Sequence, residues 1–542
     1  MHETFWHKTG QFVFLGKSLR QNQNHCAMKN FILLIASALF LIQCASTDKP
    51  SESTLGTISF TPYGQELAQP LFQQGLLLLH SFEYDDARTN FLEAQVLDTN
   101  FHMAYWGEAM TYNHTLWHSQ KTDEAREALK KLAPTAEERV AIATNELEAD
   151  LIQGANVLFG EEDDKLVRDF AYSEYMHTLY LKYSGNHEIA SLYALSLLGS
   201  APERDPETYG KGAVVVQDIL KENPKHPGAL HYLIHSYDDP EHAHLALEAA
   251  NIYSDVAKDA GHALHMPSHI FVAMGMWDEV VSSNIASFAA SKERKERLDL
   301  DNNALGYHAL QWLMYGHLQR NEMKEASSLV TDMKAYHDEL SSKSARAYFT
   351  MMRAGYLVDS EDWESEFLKY EIDDSDLNIS LRAVNSFIEG MSAYQNEDVA
   401  ALGTVIAHMQ AIREADYKKM MQRGVSTCSG VKWTSQLPTQ SDINIAHIME
   451  MQLEAFNAIL ASDMDQAEEW FIAATELEDS NSFSFGPPSV VKPAHELYGE
   501  WLAERNRSAE ASAQFDKALE KAPGRRLSVE AKQVLVDPSP PI

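Results

Sequence analysis

Histidines are the residues whose spacing points most directly to chemistry in this sequence. The chain has 23 histidines, and eight of them lie between positions 226 and 269. His231 and His235 are four residues apart, and so are His265 and His269. On a helix, residues four apart share one face with Cβ atoms about 5–6 Å from each other, a spacing that suits a chelating pair of imidazoles.

The second histidine pair follows the first by 34 residues. A repeat of that length places both pairs at equivalent positions of neighbouring helices, whose axes lie ~8–10 Å apart. The four rings can then meet in one pocket and hold a divalent metal ion, for which imidazole favours zinc or copper. Neither pair matches the His-Glu-x-x-His pattern of zinc proteases, because neither encloses the required glutamate.

Two other interpretations of the paired histidines stay open. A row of imidazoles can bind an anionic or peptide ligand without a metal, and histidines buried between helices can be satisfied by backbone carbonyls. Asp238, Asp239 and Asp278 lie nearby in sequence, where they could orient the rings or add oxygen ligands.

Composition narrows the class of protein. The 542 residues carry a net charge of −35, and 45% of them are hydrophobic, which excludes a disordered chain. Such acidity argues against binding nucleic acid, which needs clustered Lys and Arg. The three cysteines contain no Cys-x-x-Cys pair, which excludes a thiolate zinc site. With only 18 prolines and 25 glycines, long helices are favoured.

A repeat signature closes the chain. Small, apolar and proline residues fall at places 8, 11, 20, 24, 27 and 32 of a 34-residue unit, namely Gly499, Leu502, Ala511, Phe515, Ala518 and Pro523. This spacing resembles the tetratricopeptide (TPR) repeat. A second unit takes the same places with Gly75, Leu78, Ala87, Phe91 and Ala94. The resemblance implies an all-α solenoid of stacked antiparallel helix pairs from about residue 63 to 535.

The TPR resemblance also assigns positions to the histidines. In TPR proteins, places 2, 5 and 9 of the first helix line the concave surface, and the two pairs fall at places 5 and 9. His262 and His308 fall at place 2, and His80 falls at the concave place 13. The resemblance therefore implies a concave ligand-binding surface made by His80, His231, His235, His262, His265, His269 and His308.

Two stretches resemble a family of bacterial TPR proteins, at residues 226–231 (HPGALH) and 261–271 (GHALHMPSHIF). The resemblance implies a fold for the whole chain and no activity. A loop expected at 481–493 carries aromatic residues, and we expect it to lie against the solenoid. A second such loop is expected at 424–442.

The N-terminal region has the pattern of a secretory signal. Met28 and Lys29 precede a mostly apolar run to Ile42, and Cys44 follows Gln43. This arrangement resembles the lipobox of bacterial lipoproteins, and it implies that Cys44 is lipidated, becomes the mature N-terminus and anchors the protein to the cell envelope. We expect Met28 to be the true start.

These patterns predict five segments. They are an N-terminal extension with a signal peptide (1–43), a tether (44–62), His-rich N-terminal repeats (63–340), C-terminal repeats (341–535) and a tail (536–542).

The function that the sequence favours is a non-enzymatic, envelope-anchored repeat protein that binds a partner on its concave face. The partner is a protein, peptide or glycan, with the membrane contacted through the N-terminal lipid. One alternative is a glycan- or nutrient-binding lipoprotein of a polysaccharide-utilisation system, similar to those of the SusD kind. A third alternative is a metal-binding protein or metal-dependent enzyme that uses His231, His235, His265 and His269.

Overall fold

The structure is a computed structural model, and it describes residues 54–201, 204–422, 438–481 and 485–536. The predicted signal segment, Cys44 and most of the loop predicted at 424–442 lie outside the described residues. The described residues from Thr54 onward belong to one compact unit.

The described part of the chain is almost entirely helical. In chain order, the helices are α1 (Gln69–His80), α2 (Tyr84–Leu97), α3 (His102–Met110), α4 (Thr122–Leu132), α5 (Ala136–Ala141), α6 (Glu146–Leu158), α7 (Lys165–Lys182), α8 (His187–Ser200), α9 (Pro206–Glu222), α10 (Pro227–Ser236), α11 (Leu247–Val256), α12 (Gly261–His265), α13 (Pro267–Ala273), α14 (Trp277–Leu298), α15 (Tyr307–Gln319), α16 (Met323–Glu339), α17 (Lys343–Ser360), α18 (Ile379–Gln395), α19 (Val399–Gln422), α20 (Gln440–Leu460), α21 (Met464–Ser480), α22 (Ala494–Glu504), α23 (Ser508–Lys521) and α24 (Arg526–Val536).

One short hairpin interrupts the described helices. Strand β1 (Asn113–His114) pairs antiparallel with β2 (Ser119–Gln120), and a single 3-10 turn at Thr115–Trp117 joins them. The left-handed backbone of His118, with φ at 46°, closes that turn.

Small residues opposite aromatic residues hold the helix pairs together, as the repeat pattern predicts. A Cβ added to Gly75 of α1 would lie 2.8 Å from the ring of Phe91 on α2, and a Cβ on Gly499 of α22 would lie 2.8 Å from Phe515 on α23. Both rings are fully buried. Only a residue without a side chain lets the two helices of each pair approach this closely.

The helices stack in chain order. Most helices pack mainly on the helices before and after them, while the short α12 packs mainly on α14. In addition, α15 contacts α17, and α18 contacts α20. This is the arrangement of a TPR-type α-solenoid, which confirms the predicted fold class. Buried apolar residues form two clusters, one running from Leu55 to Val280 with Trp312, and one from Phe288 to Phe515. The proposed division near residue 340 stays a prediction.

Contacts between residues remote in sequence bring both ends of the solenoid to its middle. From the N-terminal side, Arg294 on α14 donates to the carboxylate of Asp86 on α2. From the C-terminal side, the Trp277 indole donates to the carbonyl of Gly524 over 3.0 Å. The fully buried Arg525 forms ion pairs with Asp359 at 2.7 Å.

No helix among the described residues combines the length and apolar character needed to cross a membrane.

The packing of glycine against phenylalanine can be tested with two substitutions on the same helix, α2. We expect Phe91→Ala to destabilise the protein by ~3–5 kcal/mol, because it opens a cavity in the first helix pair. Val96, on the same helix, is 81% exposed, so Val96→Ala should change stability by about 0.5 kcal/mol or less. Urea unfolding followed by circular dichroism measures both, and equal effects of the two substitutions would contradict the packing described here.

Candidate metal centre

Two groups of three histidines lie next to each other in the middle of the solenoid. We call cluster 1 the group formed by His231, His235 and His262, and cluster 2 the group formed by His265, His269 and His308. Within each cluster, one nitrogen from every ring lies within 4.8 Å of the others. Four of the six residues are buried, and His262 and His308 are half-buried.

The two clusters are built on the same plan. Each takes two rings from places 5 and 9 of one repeat and the third ring from place 2 of the next repeat. Cluster 1 uses α10 and then α12, whereas cluster 2 uses α12 and α13 and then α15. All six residues are predicted site residues, but the metal site predicted from the sequence combined the two pairs and left out His262 and His308.

Local sequence explains why the pairs share a face. Pro227 occupies the first turn of α10, where a backbone N–H would have no partner within the helix, so the lack of an N–H in proline costs no hydrogen bond. The His226 side chain caps the helix by accepting from the N–H of Ala229. Pro267 separates α12 from α13, yet Met266 keeps helical angles of −53° and −37°. His265 and His269 therefore stay on one side across the break.

In cluster 2, the hydrogen bonds fix which nitrogens carry protons. His265 Nδ1 lies 2.6 Å from Oδ1 of Asn284, whose amide group donates to the carbonyl of Val280 over 2.8 Å and so cannot turn round. His269 Nδ1 lies 2.5 Å from Oδ2 of Asp238. Since both partners are acceptors, both Nδ1 atoms donate, so in the neutral form of each ring Nε2 carries no proton.

The Nε2 atoms of His265 and His269 face each other at 3.1 Å. In the neutral form of both rings, their two lone pairs repel at that distance unless a cation, either a metal ion or a proton, lies between them. With metal–nitrogen bonds of ~2.1 Å, two ligands of one ion are about 3.0–3.4 Å apart for angles from 90° to tetrahedral. The separation observed fits two ligands of one metal ion.

In cluster 1 the hydrogen bonds fix one ring. His231 Nδ1 donates to the backbone carbonyl of His80 over 2.7 Å, which leaves Nε2 of the neutral ring without a proton. That atom accepts from Nε2 of His235 over 3.2 Å when no metal ion is bound. Nε2 of His262 is buried without a hydrogen-bond partner among the described residues. A buried polar atom without a partner costs about 1–3 kcal/mol, which a bound ion would relieve.

Asp238 links the two clusters. Its carboxylate lies within 4.8 Å of ligand nitrogens of both His235 and His269, so it stands where the clusters meet. While Oδ2 accepts from His269, Oδ1 is buried without a partner among the described residues. A carboxylate that orients a metal-binding imidazole is a common partner in metal sites. The other two aspartates face elsewhere, Asp239 toward Arg204 and Asp278 toward Arg320.

Burial favours the neutral state, which binds metals, in five of the six rings. It lowers the pKa of His231 and of His308 to about 3, and it lowers the pKa of His235, His262 and His265 well below the usual value. Neighbouring histidines act in the same direction, because a charged ring would repel the next one.

His80 is placed differently from its expected position on a concave ligand surface. It is buried, with Nε2 2.8 Å from Glu188 and Nδ1 2.9 Å from the Tyr232 hydroxyl. His226 donates to the other oxygen of Glu188 over 3.2 Å. This group satisfies its ring nitrogens without a metal, and it fixes the His80 carbonyl that holds His231.

Glycines allow the close approaches that complete the site. A Cβ on Gly228 would lie 2.4 Å from Nδ1 of His80, so this position at the start of α10 has no room for a side chain. Gly486 has a φ of 88° and would press a Cβ within 2.2 Å of Trp312. Trp312 packs 4.5 Å from the ring of His269, and Phe485, in the 481–493 loop, lies 5.5 Å from it.

Sequence reasoning missed three parts of the site. Asn284, the His80 carbonyl and the Phe485 ring all reach the clusters from other helices or loops. Their sequence contexts carry no metal-ligand spacing, so only the folded arrangement reveals them. The predicted packing of the 481–493 loop against the solenoid is confirmed by the contact of Phe485 with His269.

No protein-family model matches this chain, and no curated protein matches it in sequence. Solved structures give distant likenesses. Cut9 in the APC/C hetero-tetramer Cut9–Hcn1 shares 12% identity over 94% of this chain and 82% of its own, with a TM-score of 0.35. The human IFIT1 dimer with m7Gppp-AAAA shares 13% over 84% and 86%, with a TM-score of 0.36. Yeast Tom70 shares 12% over 87% and 95%, with a TM-score of 0.32. What those proteins bind has no bearing on this chain at such scores.

The neighbouring aspartates allow a matched test of the site. We expect Asp238→Asn to weaken zinc binding 10–100-fold, because the loss of the carboxylate makes Nε2 of His269 a poorer ligand. Asp239→Asn is the control, since Asp239 contacts Arg204 and His242 and none of the six rings. Competition against a chromophoric chelator measures the affinities, and similar losses in both variants would refute the role of Asp238.

Proposed function

We propose that this protein is a helical-repeat scaffold that binds transition-metal ions at cluster 1 and cluster 2. The observation that carries the proposal is that the Nε2 atoms of His265 and His269 face each other at 3.1 Å. Asn284 and Asp238 accept from both Nδ1 atoms, so both Nε2 atoms are free to bind a metal ion when the rings are neutral.

The ligand set indicates which ions bind. Three imidazoles per cluster suit zinc, copper, nickel or iron, and copper binds such sites most tightly in the general affinity order. Three protein ligands leave a position open on each ion, as in catalytic rather than structural sites. The bound ions therefore offer the solenoid a place to bind a further small ligand.

The scaffold itself supports a binding role. TPR-like helical repeats present long surfaces that are typical of protein or ligand binding. In this proposal, the metal centre is the specific binding site, and the sequence prediction of a concave partner surface stays open beside it.

We also propose that the protein is anchored to the cell envelope through a lipid on Cys44. The support is the sequence alone, namely the apolar run that ends at Ile42 and the cysteine that follows Gln43. The lipid places the metal-binding solenoid at a membrane surface, where it would meet ions and small ligands outside the cytoplasm.

Metal content tests the main proposal. Protein purified without a histidine tag and loaded with zinc or copper should hold about two ions per chain by elemental analysis, one for each cluster. The double variant His231→Ala with His265→Ala removes one ligand from each cluster and should lose both ions. His187→Ala, whose ring pairs with Glu222 on the surface, is the control and should keep them.

Circular dichroism shows whether the double variant keeps its helices. A folded wild type that takes up no metal would overturn the proposal, and so would a double variant that holds as much metal as the control.

The anchor is tested by expression of the full chain in a bacterial host that processes lipoproteins. We expect the wild type in the membrane fraction with incorporated radiolabelled palmitate, and Cys44→Ser in the soluble fraction without label. Cys428→Ser is the control and should behave as the wild type. Equal labelling of the Cys44→Ser variant would contradict the anchor.

A further inference from the structure

We infer that cluster 1 and cluster 2 form a single dinuclear copper centre that reacts with dioxygen, an inference that rests on the proposed metal binding. Four observations carry it: the contact between the clusters, the scarcity of negative charge around them, the open position on each ion, and the apolar surroundings.

The rings of the two clusters touch at two places. His235 of cluster 1 lies 5.5 Å from His269 of cluster 2, and His262 lies 6.1 Å from His265, both measured between ring centroids. The ligand atoms of His235 and His269 lie within 4.8 Å of each other. With bonds of ~2 Å, ions on these two atoms are at most about 9 Å apart. Ions in two-metal sites that share a ligand are typically ~3.5–4 Å apart, which lies within this limit.

Charge favours copper in its monovalent state. Imidazole binds a metal ion in its neutral form, so the six ligand rings add no charge when they hold the ions. Asp238 is the only carboxylate hydrogen-bonded to one of the six rings among the described residues. Glu83 accepts the backbone N–H of His262 instead of a ring nitrogen. Two divalent ions with Asp238 carry a net charge of about +3, whereas two Cu(I) ions carry about +1. Each uncompensated buried charge costs several kcal/mol, so the monovalent pair is the better match.

Reaction with dioxygen lets both copper ions become divalent without raising the net charge of the centre. Each Cu(I) ion gives one electron, so both ions become Cu(II), and dioxygen gains two electrons to become peroxide. The peroxide bridges the ions through two new copper–oxygen bonds, and the O–O bond order falls from two to one. No proton is consumed. The net charge of the centre stays the same, because the two charges added to copper are balanced by the peroxide dianion.

The surroundings suit a small apolar gas. Phe82 packs 4.2 Å from His231, and Trp312 packs 4.5 Å from His269, so aromatic rings line both clusters. Trp117 is 44% exposed and Phe485 is 40% exposed, and each lies within 6 Å of a ring of the centre. The half-buried His262 and His308 also reach solvent, so the centre is accessible at its edge beside these two aromatic rings.

The test uses the full chain, purified without a tag and loaded with Cu(I) under anaerobic conditions. We expect uptake of about two ions per chain, one for each cluster. After exposure to air, a near-ultraviolet charge-transfer band should appear, while the electron paramagnetic resonance signal of Cu(II) stays nearly absent, because the bridge couples the two unpaired electrons.

The outcomes separate this inference from the proposed function. Two ions that give a full two-spin Cu(II) signal, or that stay reduced in air, would overturn the dinuclear centre and leave metal binding intact. A protein that takes up no copper would overturn both. His235→Ala should leave one copper in cluster 2, with a single-spin Cu(II) signal after chemical oxidation. The control His242→Ala, a half-exposed residue paired with Asp239, should match the wild type.

Discussion

Two imidazole nitrogens, Nε2 of His265 and Nε2 of His269, face each other at 3.1 Å inside this protein, and their lone pairs repel in the neutral form of both rings. The site depends on that contact. Asn284 and Asp238 hold the opposite nitrogens of the two rings as donors. In the folded protein the rings cannot turn to relieve the repulsion, because Trp312 packs against both of them. A metal ion turns this repulsion into two bonds, so the fold and the ion stabilise each other.

The repeat architecture explains how such a site arises twice. A 34-residue period places the same two ring positions in successive repeats, and the next repeat adds the third ring. Repeat stacking alone does not complete the site, however. The His80 carbonyl comes from α1 and Phe485 comes from the segment before α22, so both ends of the solenoid must return to its middle. Gly228 and Gly486 permit those returns because a side chain at either position would collide.

The sequence predicted the features that depend on local periodicity. The helix pairs at 69–97 and 494–521, the contact between Gly499 and Phe515, and the shared face of each histidine pair all follow from spacing. Spacing also put His262 and His308 on the same surface, yet it could not show that they complete two separate groups of three. The hydrogen-bond partners of the rings could not be predicted from the sequence, because Asn284 and the His80 carbonyl reach them through tertiary contacts. The burial of His80 was missed for the same reason, since it depends on Glu188 and Tyr232 from other helices.

In our proposal, imidazole nitrogens of these clusters bind the metal ions directly. X-ray absorption spectroscopy of the metal-loaded protein at the metal edge tests this coordination. We expect an inner shell of nitrogen atoms at about 2.0–2.1 Å, with the outer-shell scattering of imidazole rings and about three rings per ion. An inner shell of sulfur, or of oxygen without imidazole scattering, would contradict it.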